Sequence, residues 1–147
     1  MSSRIELFFI TKPEDTEQEY AVPSIRLMAY VKFATLGGLT EFYPAMVDTG
    51  SPISVVPFKI WARCSVKLFG PDRLASFSGN PDCEIAVQAG EIRLVVQDRS
   101  GARTNELTIR ADLCDTSEVP LILGMHDVLA RGTLYADYPN NEAWLEV

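Results

Sequence analysis

Phe42-Tyr43-Pro44-Ala45-Met46-Val47-Asp48-Thr49-Gly50-Ser51-Pro52-Ile53-Ser54-Val55-Val56-Pro57 carries an apolar strand into an acid and out into a second apolar strand. Most acidic side chains occupy solvated loops or polar faces. Asp48 instead follows Ala45-Met46-Val47 directly, and only Thr49-Gly50-Ser51-Pro52 separates it from the apolar Ile53, Val55 and Val56. Gly50 permits a tight turn and lets backbone N–H groups approach a carboxylate. Such donors favour an ionised carboxylate, and burial favours a neutral one. A carboxyl set between those influences suits acid–base chemistry.

The surrounding chain alternates with a period of two. Ile25, Leu27, Ala29, Val31 and Phe33 alternate with Arg26, Met28, Tyr30 and Lys32, the pattern of a strand with one face on a core. Ile92, Leu94 and Val96 repeat it, as do Leu107, Ile109 and Ala111. Between those two runs, Asp98-Arg99-Ser100-Gly101-Ala102-Arg103 reads as a hairpin connection. Leu36-Gly37-Gly38-Leu39 reads as a tight turn joining the first run to residues 40–47. Nine Pro and nine Gly cut the rest into short elements, so a mainly β domain is expected. Two segments depart from this. Pro57-Phe58-Lys59-Ile60-Trp61-Ala62 reads as a helical turn with Pro at its first position. His126-Asp127-Val128-Leu129-Ala130-Arg131 reads as a short helix stopped by Gly132. Residues 11–23 are the most loop-like stretch, and they are acidic.

A second motif accompanies Asp48. Pro120-Leu121-Ile122-Leu123-Gly124 is an apolar run ending in Gly just before the expected C-terminal helix, 76 residues beyond Asp48. Together, Asp48-Thr49-Gly50-Ser51 after apolar residues and Leu121-Ile122-Leu123-Gly124 resemble the two signature elements of the retropepsin-like, single-domain aspartic peptidases. The resemblance covers about residues 25–147. It implies a mainly β, retropepsin-like acid-protease fold of short strands with one short C-terminal helix. The whole chain, 1–147, would be one such domain, with residues 1–23 as an N-terminal strand and acidic loop.

Carried over residue by residue, the resemblance makes Asp48 the catalytic carboxylate. Thr49 matches the residue whose hydroxyl interlocks with the partner motif. Gly50 brings backbone N–H groups to the carboxylate, and the Ser51 hydroxyl would bond its outer oxygen. The family covers its site with a β-hairpin flap, and residues 75–83, with Gly79-Asn80-Pro81 at the tip, occupy that place. One departure stands out. The family often follows the apolar-Gly element with an Arg that braces the active-site turn, whereas Met125 and His126 follow Gly124 here. The brace is therefore either absent or replaced, with Asp127 pairing to an Arg elsewhere as the candidate replacement. His126 is read as a helix-start residue. Asp115-Thr116-Ser117 imitates a second Asp-Thr-Gly but lacks the glycine and leads into Glu118-Val119-Pro120, so it reads as a turn.

Composition excludes several classes. A chain of 147 residues buries roughly 70% of its unfolded surface without metals or disulfides. Thirteen basic against twenty acidic residues, net −7, argue against nucleic acid and against an anionic membrane surface. No apolar run approaches the ~20 residues of a membrane-spanning helix, and no signal peptide is read at the N-terminus, so a cytoplasmic location is expected. Cys64, Cys83 and Cys114 are widely spaced and His126 is the single histidine, so no metal site is expected and the cysteines read as reduced small hydrophobes.

The family's chemistry needs two carboxylates, one ionised to take a proton from water and one protonated to polarise the scissile carbonyl. Two acids that close share one proton. The chain offers one convincing motif, so the second Asp48 must come from a second copy, with the site on a two-fold axis. The expectation is a homodimeric aspartic endopeptidase acting on polypeptide, with no cofactor. The alternative is a catalytically silent dimer that binds extended peptides in the same cleft. The family supports its dimer with terminal strands, for which residues 5–10 and Ala143-Trp144-Leu145-Glu146-Val147 are the candidates. The same segments equally suit pairing within one subunit.

Overall fold

The computed structural model describes residues 3–12, 24–76 and 84–147. Its strands are β1 (Arg4–Glu6), β2 (Phe8–Lys12), β3 (Ser24–Thr35), β4 (Gly38–Leu39), β5 (Tyr43–Val47) and β6 (Ser54–Val56). After the helical turn α1 (Phe58–Trp61) come β7 (Lys67–Ser76), β8 (Glu84–Val96), β9 (Leu107–Cys114), β10 (Ile122–Leu123), β11 (Thr133–Asp137) and β12 (Glu142–Glu146). The fold is mainly β with little helix, and its large sheet is mixed.

The expected alternation is realised. In β3, Leu27, Ala29, Val31 and Phe33 are buried, and the intervening residues reach the other face. The β3–β4 hairpin turns at Leu36-Gly37, where the Thr35 hydroxyl donates to the Gly38 carbonyl (2.7 Å) and accepts from Gly37 N–H (3.2 Å). The large sheet runs β2-β3-β5-β10-β6-β9-β8-β7, and β3 also pairs with β8, so the order returns on itself. The main core cluster includes Phe33, Ile92, Leu94, Ile109, Leu113 and Leu123 of this sheet together with Ile5 and Leu145 of the terminal strands. A smaller cluster on the other face joins Val55, Val87, Cys114, Val119 and Ile122.

Strand β7 was not legible as such from its sequence. It pairs with β8 over Lys67–Phe69 and Arg73–Ser76, with an irregularity between them that leaves Gly70 at φ 68°. Arg73 reaches past β8 to an ion pair with the buried Asp112 of β9. The candidate flap tip, Gly79, Asn80 and Pro81, lies outside the described residues; on either side of it Ser76 pairs with Glu84.

Both helical expectations are modified. The first helix is the short α1, and Pro57 stands at its cap rather than inside it. At the second place, the expected C-terminal helix is only a 3-10 turn, Leu129–Arg131. Asp127, at φ 65°, leaves the right-handed helical region and interrupts any helix starting at His126. Its carboxylate compensates by accepting the Arg110 backbone N–H (2.9 Å) and pairing with Arg131 (3.0 Å). Those donors, the Arg110 N–H first, hold the Asp127 carboxyl below its ordinary range against the effect of burial.

The terminal segments pair within the chain. β1, β12 and β11 form a separate three-stranded sheet with β12 in the middle. Its Ile5 and Leu145 side chains are fully buried. Asp98, almost fully buried in the β8–β9 connection, ties this sheet to the large one: it accepts the Glu6 N–H (2.9 Å), the Ser100 N–H and hydroxyl, and the Ala102 N–H. Burial pushes the Asp98 carboxyl up, but the donors together outweigh it and hold it below its ordinary value. A depressed folded-state value means stability that is complete above the unfolded value of about 3.9 and disappears as pH falls through the folded value. Asp98→Asn is expected to lower stability by about 1–3 kcal/mol at pH 7, because an amide turns donors towards donors. The deficit relative to the parent should shrink in strong acid; urea denaturation at neutral and acid pH measures both.

Candidate active site

The elements that hold Asp48 come from both ends of the domain. β5 and β6 follow one another in sequence but do not pair, because β10 lies between them. β10 is parallel to β5, with Ile122 beside Met46 and Leu123 beside Val47, and antiparallel to β6, with Ile122 beside Val55. Met46 N–H donates to Leu121 O (2.9 Å) and Asp48 N–H to Leu123 O (3.0 Å). The apolar character of 121–123 follows from this place. Leu123 fills the main core and Ile122 the smaller cluster on the opposite face, so a two-residue strand is buried on both sides.

The turn itself is short and hydrogen-bonded. Gly50 N–H donates to Asp48 Oδ1 (2.9 Å), and Ser51 N–H to Asp48 O (3.2 Å). Gly50 serves by closeness: a Cβ there would lie 3.2 Å from Asp48 Oδ1. The Ser51 hydroxyl does not reach the carboxylate, as the resemblance implied, but donates to Ile53 O (2.7 Å) and so closes the turn locally. Asp48 is half-exposed, and Thr49 and Gly50 are exposed. Among the described residues the Thr49 hydroxyl takes no hydrogen bond.

Gly124 locks this turn against the C-terminal motif. Its N–H donates to the Oγ of the fully buried Ser54 (3.0 Å), and the next two N–H groups, of Met125 and His126, donate to Ser51 O (2.9 Å) and Pro52 O (3.0 Å). Leu121, Ile122, Leu123 and Gly124 are therefore joined directly to Asp48 and its turn. The backbone of Met125 and His126 braces the turn where the resemblance would place an Arg side chain. Asp127 does pair with an Arg, but with its near neighbour Arg131, so that pair fixes the segment after the brace and does not itself brace the Asp48 turn. Ser54 was not singled out in the sequence; a hydroxyl in an otherwise apolar run, Ile53-Ser54-Val55-Val56, was the available signal.

Other candidate chemistry falls away. Asp115-Thr116-Ser117 caps α1: Thr116 O accepts Phe58 N–H (3.0 Å) and Ser117 Oγ accepts Lys59 N–H (3.0 Å). Burial, then the charges of Asp112 and Asp115, push the Cys114 thiol up to about 12, and burial also raises Cys64. Neither supplies a thiolate near neutral pH. Among the described residues, no three His, Cys, Asp or Glu side chains are grouped to hold a metal ion, and no helix is long and apolar enough to cross a membrane.

No model of a known protein family matches the chain, and no curated protein matches it in sequence.

The lock at Gly124 generates a sharp expectation. An added Cβ would lie 2.5 Å from Ile53 C and O and 2.8 Å from Ser51 O, all backbone atoms that cannot swing aside. Gly124→Ala should cost about 1–3 kcal/mol through overpacking. Ser54→Ala, which leaves the buried Gly124 N–H without an acceptor, should cost a similar amount. Thermal denaturation measures both losses; unchanged midpoints would mean that the two motifs are not locked together.

Proposed function

We propose that the chain is an aspartic endopeptidase whose active unit is a homodimer, with one Asp48 from each subunit forming the catalytic pair. The observation that carries this reading is the direct hydrogen-bonded union of Asp48-Thr49-Gly50-Ser51 with Leu121-Ile122-Leu123-Gly124. Two segments 76 residues apart would have no reason to meet in this way if each were an ordinary surface turn. The exposure of Thr49 and Gly50 also supports it, since a site completed by a second subunit must present its acid at the surface.

In the proposed reaction, the ionised member of the Asp48 pair takes a proton from water as the water oxygen attacks the peptide carbonyl carbon. The protonated member donates to the carbonyl oxygen, which gains negative charge as the tetrahedral centre forms. Collapse of that centre breaks the C–N bond, and the leaving nitrogen receives a proton from the pair. No covalent enzyme intermediate is required. The exposed Thr49 hydroxyl is available to the partner's turn. Rigid turns suit this role, because both acids must be held in place before substrate arrives.

Incubation with an unfolded protein from about pH 3 to about pH 7 is the direct test. Cleavage is expected, with inhibition by a peptide mimic bearing a hydroxyl at the tetrahedral carbon and no effect of thiol alkylation. Asp48→Asn should reduce cleavage at least ~100-fold while leaving the circular dichroism spectrum and melting midpoint nearly unchanged, because Asn keeps the shape but cannot exchange the proton. Asp115→Asn should alter the rate little. Peptide binding without cleavage by the parent protein would instead identify a silent peptide-binding dimer.

A further inference from the structure

Before it meets β10, β5 runs beside an open pocket. The two strands pair only at Met46–Ile122 and Val47–Leu123, with the Met46 N–H held by Leu121 O. Ahead of that point, the start of β5 stands apart from the 119–121 segment and from α1, and a cavity of about 340 Å³ opens between them. Its walls are mostly apolar, with Met28, Pro44, Met46, Ile60, Val119 and Leu121 among them. Two cations line it as well, Arg26 from β3 and Lys59 from α1.

Those cations stand out because nearly all the others are committed. Arg4, Arg63, Arg73, Arg93 and Arg131 are in ion pairs with carboxylates. Lys32, Lys67, Arg99 and Arg110 lie over aromatic rings. Among the described side chains, Arg26, Lys59 and Arg103 have neither kind of partner, and two of these three border the same apolar pocket. In a chain of net charge −7, acids are plentiful, yet none of the described ones is spent here. Unpaired cations beside an apolar surface fit a ligand that is apolar along its length and carries a carboxylate.

The register connects this pocket to Asp48. β3 and β5 are antiparallel with Met28 beside Met46, and residues two apart on a strand share a face. Continuing that register by two residues brings Arg26 level with Asp48, on the face that Met28 and Met46 present. β3 and β10 flank β5 on opposite sides. Arg26 therefore approaches from one side of β5, and Lys59 from the other, with α1 and the 119–121 segment. We propose that this pocket selects the substrate of the Asp48 site: it takes an apolar stretch of polypeptide bearing an Asp or Glu, whose carboxylate Arg26 binds while Lys59 adds positive charge from across the pocket. The inference rests on the endopeptidase reading above and adds the substrate class to it. Each subunit of a symmetric pair supplies one such pocket, so acidic side chains are favoured on both sides of the cleaved bond. Arg26 and Lys59 bind substrate and take no part in the proton transfers.

Recognition can be read apart from cleavage in the Asp48→Asn protein. The probes are fluorescent apolar peptides with a single Glu moved stepwise along the sequence, each with its Gln and Lys counterparts, and binding is followed by anisotropy. At the favoured place the Glu peptide should bind at least about tenfold more tightly than the Gln peptide. Arg26→Gln and Lys59→Gln should each shrink that ratio. Arg26→Glu should turn the preference towards the Lys peptide, a gain that a misfolded protein could not show. With Asp48 intact, Arg26→Gln should raise KM for the Glu peptide and leave kcat little changed. Glu and Gln peptides bound equally or not at all, or a Glu preference that none of the three variants moves, would overturn the pocket. Cleavage by the parent with no preference for acidic residues would leave the endopeptidase reading standing and remove this one. A Glu preference that follows Arg26, in a parent that never cleaves, would support the pocket and remove the enzyme.

Discussion

A two-residue strand, Ile122–Leu123, separates β5 from β6, and the site depends on the hydrogen bonds around that strand. Flanking carbonyls of Leu121 and Leu123 accept from Met46 and Asp48, and Gly124 then ties the strand's end to Ser54 and packs on the backbone of 51–53. Removing the strand would leave the groups of β5 and β6 that face it without partners, although β3 and β9 still pair their other edges, at a cost of about 1–3 kcal/mol for each buried unsatisfied group. Asp48 is thus positioned by backbone geometry; it is half-exposed, and among the described residues its carboxylate accepts one N–H, that of Gly50.

Around this centre, other carboxylates act as structural acceptors. Asp98 joins the terminal sheet to the β8–β9 connection, Asp127 holds the segment that leaves the site, and Asp112 anchors Arg73 of β7. Each removes backbone or guanidinium donors from competition with water, and Asp98 and Asp127 are held below their ordinary range by those donors. Asp98 and Asp127 thus stay ionised further into the acid range than an ordinary carboxyl.

Much of this was legible in the sequence because it depends on periodicity and on a few residues without substitutes. The alternation in β3, β8 and β9 and the turn at Leu36-Gly37 follow from side-chain pattern, whereas the link between the Asp48 and Gly124 motifs came from the resemblance alone. The missing parts are those in which tertiary contacts override local preference. Asp127 abandons helical backbone to reach Arg110, which shortens the expected helix to a 3-10 turn. β7, mostly exposed, shows no buried alternation and is recruited by pairing with β8. Ser51 finds a nearer acceptor in Ile53 than in the carboxylate. The pairing of the termini was open in the sequence, because an apolar edge strand reads the same whether its partner lies in its own chain or another; Gly132, which packs against Glu146 O with no room for a Cβ, helps fix it within the chain.

The central claim is that one working site contains Asp48 from two chains. The most direct measurement mixes a fixed amount of parent protein with increasing Asp48→Asn protein, allows subunit exchange, and follows cleavage per parent chain. Mixed dimers hold one working carboxylate, so activity per parent chain should fall towards zero as the variant comes into excess. Activity that stays proportional to the parent alone, under conditions where sedimentation shows exchanged dimers, would contradict the shared site.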